Sequence, residues 1–238
     1  MKPKVHRILT AVALELCHNR LSDNFYSYAQ EIINGSDIED TTKLFERITN
    51  WHFYRSEESP ISDRVYCCIR PTSEHLLQKR IDQMLQYSKD DKRRYEYLGR
   101  VLHHIQDMST PAHVLPIYHG PIKQDYFENF IEEHVEHITF ESTMLPTDTA
   151  LEDGLMGLYD LGAKRTINSV LHDGFVVKTD TEEMKLPLTR FWQDHRLKES
   201  FLLKGFGSYG DLNSCFNDYK SSDYSSIITE EIMLGIQK

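Results

Sequence analysis

Apolar residues recur at three- and four-residue intervals along most of this chain, the spacing that gathers them on one face of an α-helix. Val5, Leu9, Val12, Ala13 and Leu16 form the first such face and predict an amphipathic helix that ends near Asn19. A second helix is expected over Asp23 to Asn34, with Ser22 or Asp23 as N-cap and Gly35 as its stop. Leu76, Leu77, Ile81, Met84 and Leu85 mark a third over Thr72 to Ser88, capped by Ser73, and a fourth runs from Asp90 to Met108. Tyr126, Phe127, Phe130, Ile131 and Val135 give a fifth over Ile122 to Ile138. After Pro146 a long helix is expected from Asp148 to about His172, with Leu151, Leu155, Leu158, Tyr159, Leu161 and Ile167 inward, and Ile227 to Ile236 closes the chain as a short one.

The intervening stretches are weaker in pattern. The carboxylate-rich run after Gly35 reads as a loop or short helical turn leading to Trp51, His52, Phe53 and Tyr54, and residues 55–64 as a polar loop with Pro60. Between Lys178 and Ser222, Trp192, Phe201, Phe206 and Tyr209 alternate with glycines and specify little. No internal repeat, low-complexity tract or convincing alternating strand pattern is found. The expected fold class is all-α, a multi-helix bundle forming one domain over residues 1–238.

At 238 residues the chain can bury a substantial core. A formal net charge of −10 argues against nucleic acid as the main partner, because phosphate backbones are held by clustered Lys and Arg. A metal site could still bind a phosphoester locally. With 27% charged residues and a mean hydropathy of −0.52, the chain reads as soluble. No apolar run approaches the roughly 20 residues that span a bilayer, so no transmembrane segment is expected. Lys2, Lys4 and Arg7 followed by ILTAVALELC superficially resemble a secretory signal, but Glu15 interrupts the apolar stretch and no small-residue cleavage site follows. The four cysteines, Cys17, Cys67, Cys68 and Cys215, form no CxxC pair and imply neither a zinc knuckle nor a disulfide framework.

Twelve histidines change the picture, because several fall at ligand spacings. In LGRVLHHIQDMSTPAHV, His103 and Asp107 are four apart and so share one helix face. Pro111 cannot continue that helix, which brings His113 in after a bend, free to face the same pocket. The first turn of the next helix carries Asp125 and Glu128. A dipole or capping role competes for Asp125 but less well for Glu128. Taken alone, His6 reads as a surface histidine, and His134 and His137, among Glu132, Glu133 and Glu136, as part of a solvated acidic face.

These residues resemble the zinc-dependent phospholipase C family, which is similar in turn to the single-strand-specific zinc nucleases. The matches are His103 and Asp107 in LHHIQD, His113 in PAHV, Glu128 in YFENF, His52 in NWHFYR, Asp40 in SDIEDT and His6 in HRILTAVALEL, covering roughly the first 140 residues. The resemblance implies a mostly helical fold holding two to three zinc ions. One would take Asp40, His52, His103 and Asp107, a second His113 and Glu128, and a third His6, with Asp107 bridging. Asp37 or Glu39 could stand in for Asp40. Gln124 occupies the place of a family histidine four before the glutamate, so His119 or Asp125 would complete the second site. The family's N-terminal tryptophan ligand has no counterpart before His6.

The resemblance further implies hydrolysis of the glycerol-side phosphodiester of a glycerophospholipid such as phosphatidylcholine, giving diacylglycerol and a phosphorylated head group. Asp40 would be the general base. The partner would be phospholipid at a membrane surface, met through an aromatic rim drawn from Trp51, Phe53, Tyr54, Tyr118 and Tyr126, and the protein would act outside the cell that makes it. The alternatives are a zinc nuclease or broader phosphodiesterase, and a non-enzymatic relic that has lost metal at Gln124.

Overall fold

Pro3 has a fixed φ and lacks an N–H at a position where a helix leaves its N–H unused, and the first helix, α1 (Pro3–Leu16), begins there. In this computed structural model, residues 1–17, 21–41, 50–54, 70–71, 73–115, 125–137, 154–172, 174–178, 183–187, 192–193 and 208–209 are described. The buried positions of α1 are Val5, His6, Thr10 and Leu14, while Ala13 is exposed. The face turned inward is therefore not the purely apolar one expected. It is rotated to bring His6 into the interior, where the ring is fully buried rather than on the surface.

The expected second helix is two helices, α2 (Asp23–Ser27) and α3 (Ala29–Thr41), with Tyr28 between them at φ −116°. Ser22 occupies the N-cap position of α2 without a side-chain capping bond. After an extended pair, β1 (Asn50–Trp51) with β2 (Arg70–Pro71), come α4 (Ser73–Leu85) and α5 (Lys92–Asp107). The Asp91 carboxylate caps α5 by accepting from the Arg93 N–H at 2.9 Å. Leu85, expected to face inward, is 60% exposed at the last position of α4.

Gly35 does not stop α3. A Cβ there would lie 2.1 Å from the Glu96 carbonyl oxygen, and one at Gly99 would lie 2.1 Å from that of Ile32. The glycines are the point at which the α3 and α5 backbones touch, so α3 continues through the crossing. The start of the carboxylate-rich run, through Thr41, is thus the second half of α3, and residues 42–49 lie outside the described residues. Alanine at Gly99 would gain about 1 kcal/mol of helix propensity. Overlap with the Ile32 backbone outweighs this, and Gly99→Ala is expected to destabilise by roughly 1–3 kcal/mol net, read as a lower urea midpoint with an unchanged slope.

Pro111 ends the α5 region as expected. Thr110 is the extended N-cap of a single turn, α6 (Pro111–Val114). Then follow α7 (Tyr126–His134), a 3₁₀ turn over Val135–His137, and α8 (Gly154–His172). Thr166 on α8 donates to the Met108 carbonyl at 2.7 Å, tying down the open end of α5. Helix α5 packs against α3, α4 and α8, and α1 against α3. The main core joins Val5, Leu77, Val101, Met108, Phe127 and Tyr159, and a smaller cluster holds Leu14, Ile32 and Tyr95. Phe53 and Tyr54 are 4% and 5% exposed, which makes them core residues and removes them from any lipid-facing rim.

The described residues are mostly helical, in keeping with the all-α expectation. The exception is a set of short strands the pattern did not reveal. Strand β3 (Gly174–Lys178) pairs antiparallel with β4 (Glu183–Pro187), from Gly174 opposite Pro187 to Lys178 opposite Glu183. The β-branched Val176 and Val177 beside Phe175 favour extension, but five residues are too few for periodicity to register. A two-residue pair, β5 (Trp192–Gln193) with β6 (Ser208–Tyr209), follows. Residues 138–153, including Leu151, and the closing segment Ile227–Ile236 lie outside the described residues.

Candidate metal centre

Six separate segments bring side chains to one buried point. Asp107, at the last turn of α5, is its centre and is fully buried. One turn back on the same face, His103 places Nε2 at 3.2 Å from Asp107 Oδ2. From the extended segment after β1, His52 places Nδ1 at 3.1 Å from that oxygen and 2.9 Å from His103 Nε2. From α1, His6 Nε2 lies 3.3 Å from Asp107 Oδ1. Asp40, near the end of α3, reaches within 3.8 Å of His6 Nε2 and 3.9 Å of His103 Nε2. His113 on α6 and Glu128 on α7 meet at 3.2 Å, with His113 3.7 Å from Asp107 Oδ1.

These separations carry chemical information. Zinc bonds of 2.0–2.2 Å in a tetrahedron put neighbouring ligand atoms about 3.3–3.6 Å apart. The spacings around Asp107 bracket that range. His6 Nε2 and Asp40 Oδ2 are buried without a hydrogen-bond partner, an arrangement costly for a polar interior unless a cation completes it. His6, Asp40 and His103, and likewise His52, His103 and Asp107, offer ligating atoms all within 4.8 Å of one another and could hold a metal ion.

Outer contacts orient the rings for this. His103 Nδ1 lies 2.8 Å from the Ser36 carbonyl, His113 Nδ1 bonds to the His52 carbonyl, and His6 Nδ1 lies 2.7 Å from Gln106 Oε1. Carbonyl oxygens only accept, so each Nδ1 carries a hydrogen and each Nε2 is turned toward Asp107. The Met1 amino group also enters the site, 3.0 Å from each of Asp107 Oδ1, Glu128 Oε1 and His113 Nε2.

The charges respond to burial and to one another. Burial alone would lower the Met1 ammonium, but Asp107 and Glu128 outweigh it and push it up to about 11. Burial likewise opposes the charged form of His103, yet Asp107 and Asp40 raise it to about 9. Burial raises Asp107, while His113, the Met1 ammonium and His103 together hold it well below the usual carboxylate range. His6 is lowered by burial first and by His103 second. A proton therefore occupies His103 in the metal-free site below about pH 9. An ion binding at Nε2 must expel it, so affinity is expected to fall about tenfold per pH unit below that value from this group alone. Zinc titrations at pH 7.5 in buffers of different ionisation enthalpy should show proton release, and calorimetric heats independent of buffer would contradict the assignment.

The other expected ligands are placed differently. Asp125 is the N-cap of α7, with Oδ1 accepting from the Phe127 N–H at 2.7 Å and the Glu128 N–H at 3.1 Å. His119 and Gln124 lie outside the described residues. Neither alternative to Asp40 faces Asp107. Asp37 pairs with Arg7 at 3.0 Å, and Glu39 is buried against Arg80 and Arg100. His134 is partly buried at the end of α7, and the side chain of His137 is not described.

Sequence reasoning missed a layer behind the ligands. His104 is fully buried, with Nδ1 3.2 Å from Ser73 Oγ, and burial followed by repulsion from His52 keeps it well below the ordinary histidine value. Ser73, expected as a cap, serves this bond from the first turn of α4. Glu39, His52 and His104 also approach one another. With two guanidiniums already on Glu39, a further cation there would meet strong repulsion. The doubled histidine in LHHIQD was the available signal for His104. The chain matches no protein-family model, no curated protein and no solved structure.

Proposed function

We propose that this protein is a zinc-dependent phosphodiester hydrolase of the phospholipase C type. The observation that carries the reading is the convergence on Asp107 of His6, Asp40, His52, His103, His113 and Glu128. The resemblance in motif order assigns the same residues to two or three zinc ions. Bound zinc at such a centre lowers the pKa of water toward neutrality and offsets the negative charge that develops on phosphoryl oxygens.

The chain's own residues have separable tasks. Asp107 offers one oxygen toward His52 and His103 and the other toward His6 and His113, so its carboxylate can be shared between ions. His103, His113 and His6 are held with Nε2 inward and cannot turn away without breaking their outer bonds. Asp40 is the most open of the group, with its side chain 20% exposed against 0% for His6, His103 and Asp107. That opening suits a general base that must meet water and substrate. Water that gives a proton to Asp40 would attack phosphorus, the bond between phosphorus and the glycerol oxygen would break, and the proton held by Asp40 would return through solvent to that oxygen as it leaves.

The phospholipid substrate, and action outside the producing cell, rest on the resemblance. Among the described residues no helix is long and apolar enough to cross a membrane, so the lipid would be met at its surface. The side chains of Trp51 and Tyr126 are not described, and Tyr118 lies outside the described residues. The test is purified protein with zinc and phosphatidylcholine vesicles. Diacylglycerol and phosphocholine are the expected products. Cleavage of single-stranded nucleic acid without lipid turnover would reassign the centre to a nuclease, and fewer than two zinc ions per chain by elemental analysis would point to a relic.

A further inference from the structure

We infer that Gln106 is a positioning residue that selects the metal-binding tautomer of His6. The inference rests on the metal-centre reading above. A neutral imidazole carries one N–H, on either nitrogen, and only the tautomer with a bare Nε2 can bind an ion on the Asp107 side. For His103 and His113 that choice is made by main-chain carbonyls, of Ser36 and His52. For His6 it is made by a side chain. Gln106 Oε1 lies 2.7 Å from His6 Nδ1, and Gln106 Nε2 donates to Thr10 Oγ1 at 3.0 Å. Thr10 is fully buried one turn beyond His6 on α1, and its hydroxyl accepts from the amide nitrogen, which leaves Oε1 as the end that faces the ring. His6 Nε2 is then left without a hydrogen-bond partner, 3.3 Å from Asp107 Oδ1 and 3.8 Å from Asp40 Oδ2. Gln106 is the residue immediately before Asp107 in the sequence, so one turn of α5 supplies both a ligand and the group that orients a ligand on another helix.

A simpler role as a tie between α1 and α5 predicts a different outcome from the same variants. Gln106→Met removes the acceptor with little change of volume, whereas Gln106→Glu keeps an acceptor at the same reach. Titration of the metal-free protein with zinc chloride against a chromophoric chelator should show Gln106→Met weakening one ion by roughly 10–100-fold, with the remaining ions unchanged. Gln106→Glu should restore wild-type affinity or better, because a carboxylate makes the ring a stronger ligand. A tie alone would lower the urea midpoint of the metal-free variants and leave the relative affinities of the ions untouched.

A second measurement needs no metal. Nitrogen-15 shifts of His6 in the metal-free protein at pH 8 should report a protonated Nδ1 in wild type and in Gln106→Glu, and a mixture of tautomers in Gln106→Met. Equal tautomer populations in wild type and Gln106→Met would overturn the inference, as would full-affinity zinc binding by Gln106→Met. A wild type that shows the Nδ1–H tautomer yet takes up no zinc would leave the tautomer selection standing and remove the metal-centre reading instead.

Discussion

On the proposed function, Asp107→Ala is expected to abolish zinc uptake by the centre and to lower phosphodiester hydrolysis roughly 1,000-fold or more, the several kcal/mol that metal charge stabilisation supplies to such a reaction. Among the described residues no other carboxylate faces His6, His52, His103, His113 and the Met1 amine together. Without it His103 loses the strongest attraction holding it charged and titrates lower, and the Met1 ammonium keeps only Glu128 and Asp40. Two calorimetric scans separate loss of metal from loss of fold. Zinc at about a hundred times its Kd should stabilise wild type by about 2.7 kcal/mol. The melting temperature of Asp107→Ala should not respond to zinc. A variant with wild-type activity and a zinc-dependent melting temperature would sink the site assignment.

The second large effect lies behind the ligands. Glu39 is 1% exposed at its side chain and accepts from the guanidiniums of both Arg80 and Arg100, which are 7% and 13% exposed. Three helices, α3, α4 and α5, meet at this carboxylate, next in sequence to Asp40. Glu39→Ala leaves two poorly solvated cations facing each other and is expected to cost roughly 3–5 kcal/mol in a urea titration. Replacing all three by apolar residues of similar volume should recover most of that loss, because the desolvation of every charge is removed together. Burial opposes the charged form of Glu39, but Arg80 and then His104 and Arg100 hold its carboxyl far below the ordinary 4.5. A depressed carboxylate contributes stability above its unfolded value and loses it as the pH falls through and below that range. Wild type should therefore weaken on acidification below pH 4.5 more steeply than the apolar triple variant, and parallel profiles would show that Glu39 is not the group responsible.

What could be read from the sequence follows the range of the interactions. His103 and Asp107 were legible because helical spacing alone puts them on one face, and Pro111 because its ring forbids the continuation whatever the surroundings. Gly35 misled, since its role is set by contact with the Glu96 carbonyl on another helix rather than by its own neighbours. Glu39 was weighed only as a substitute for Asp40, because its partners are 41 and 61 residues away and no local pattern links them. Gln106 gave no signal at all, as a lone amide between Ile105 and Asp107 belongs to no spacing rule. His6 read as a surface residue in isolation and acquired a role only through the order of the other motifs.

The wide spread of the ligating residues along the chain has a consequence for how the protein matures. His6 leaves the ribosome first, and Glu128 follows after roughly 120 residues, a gap of about 6–24 s at the usual 5–20 residues per second. For most of that interval, until α5 has emerged with His103 and Asp107, the nascent chain carries single histidines and carboxylates with no partner to chelate beside. On the proposed reading ion uptake is thus a late event in biosynthesis, and chains arrested before α5 should emerge as apoproteins however rich in zinc the medium is.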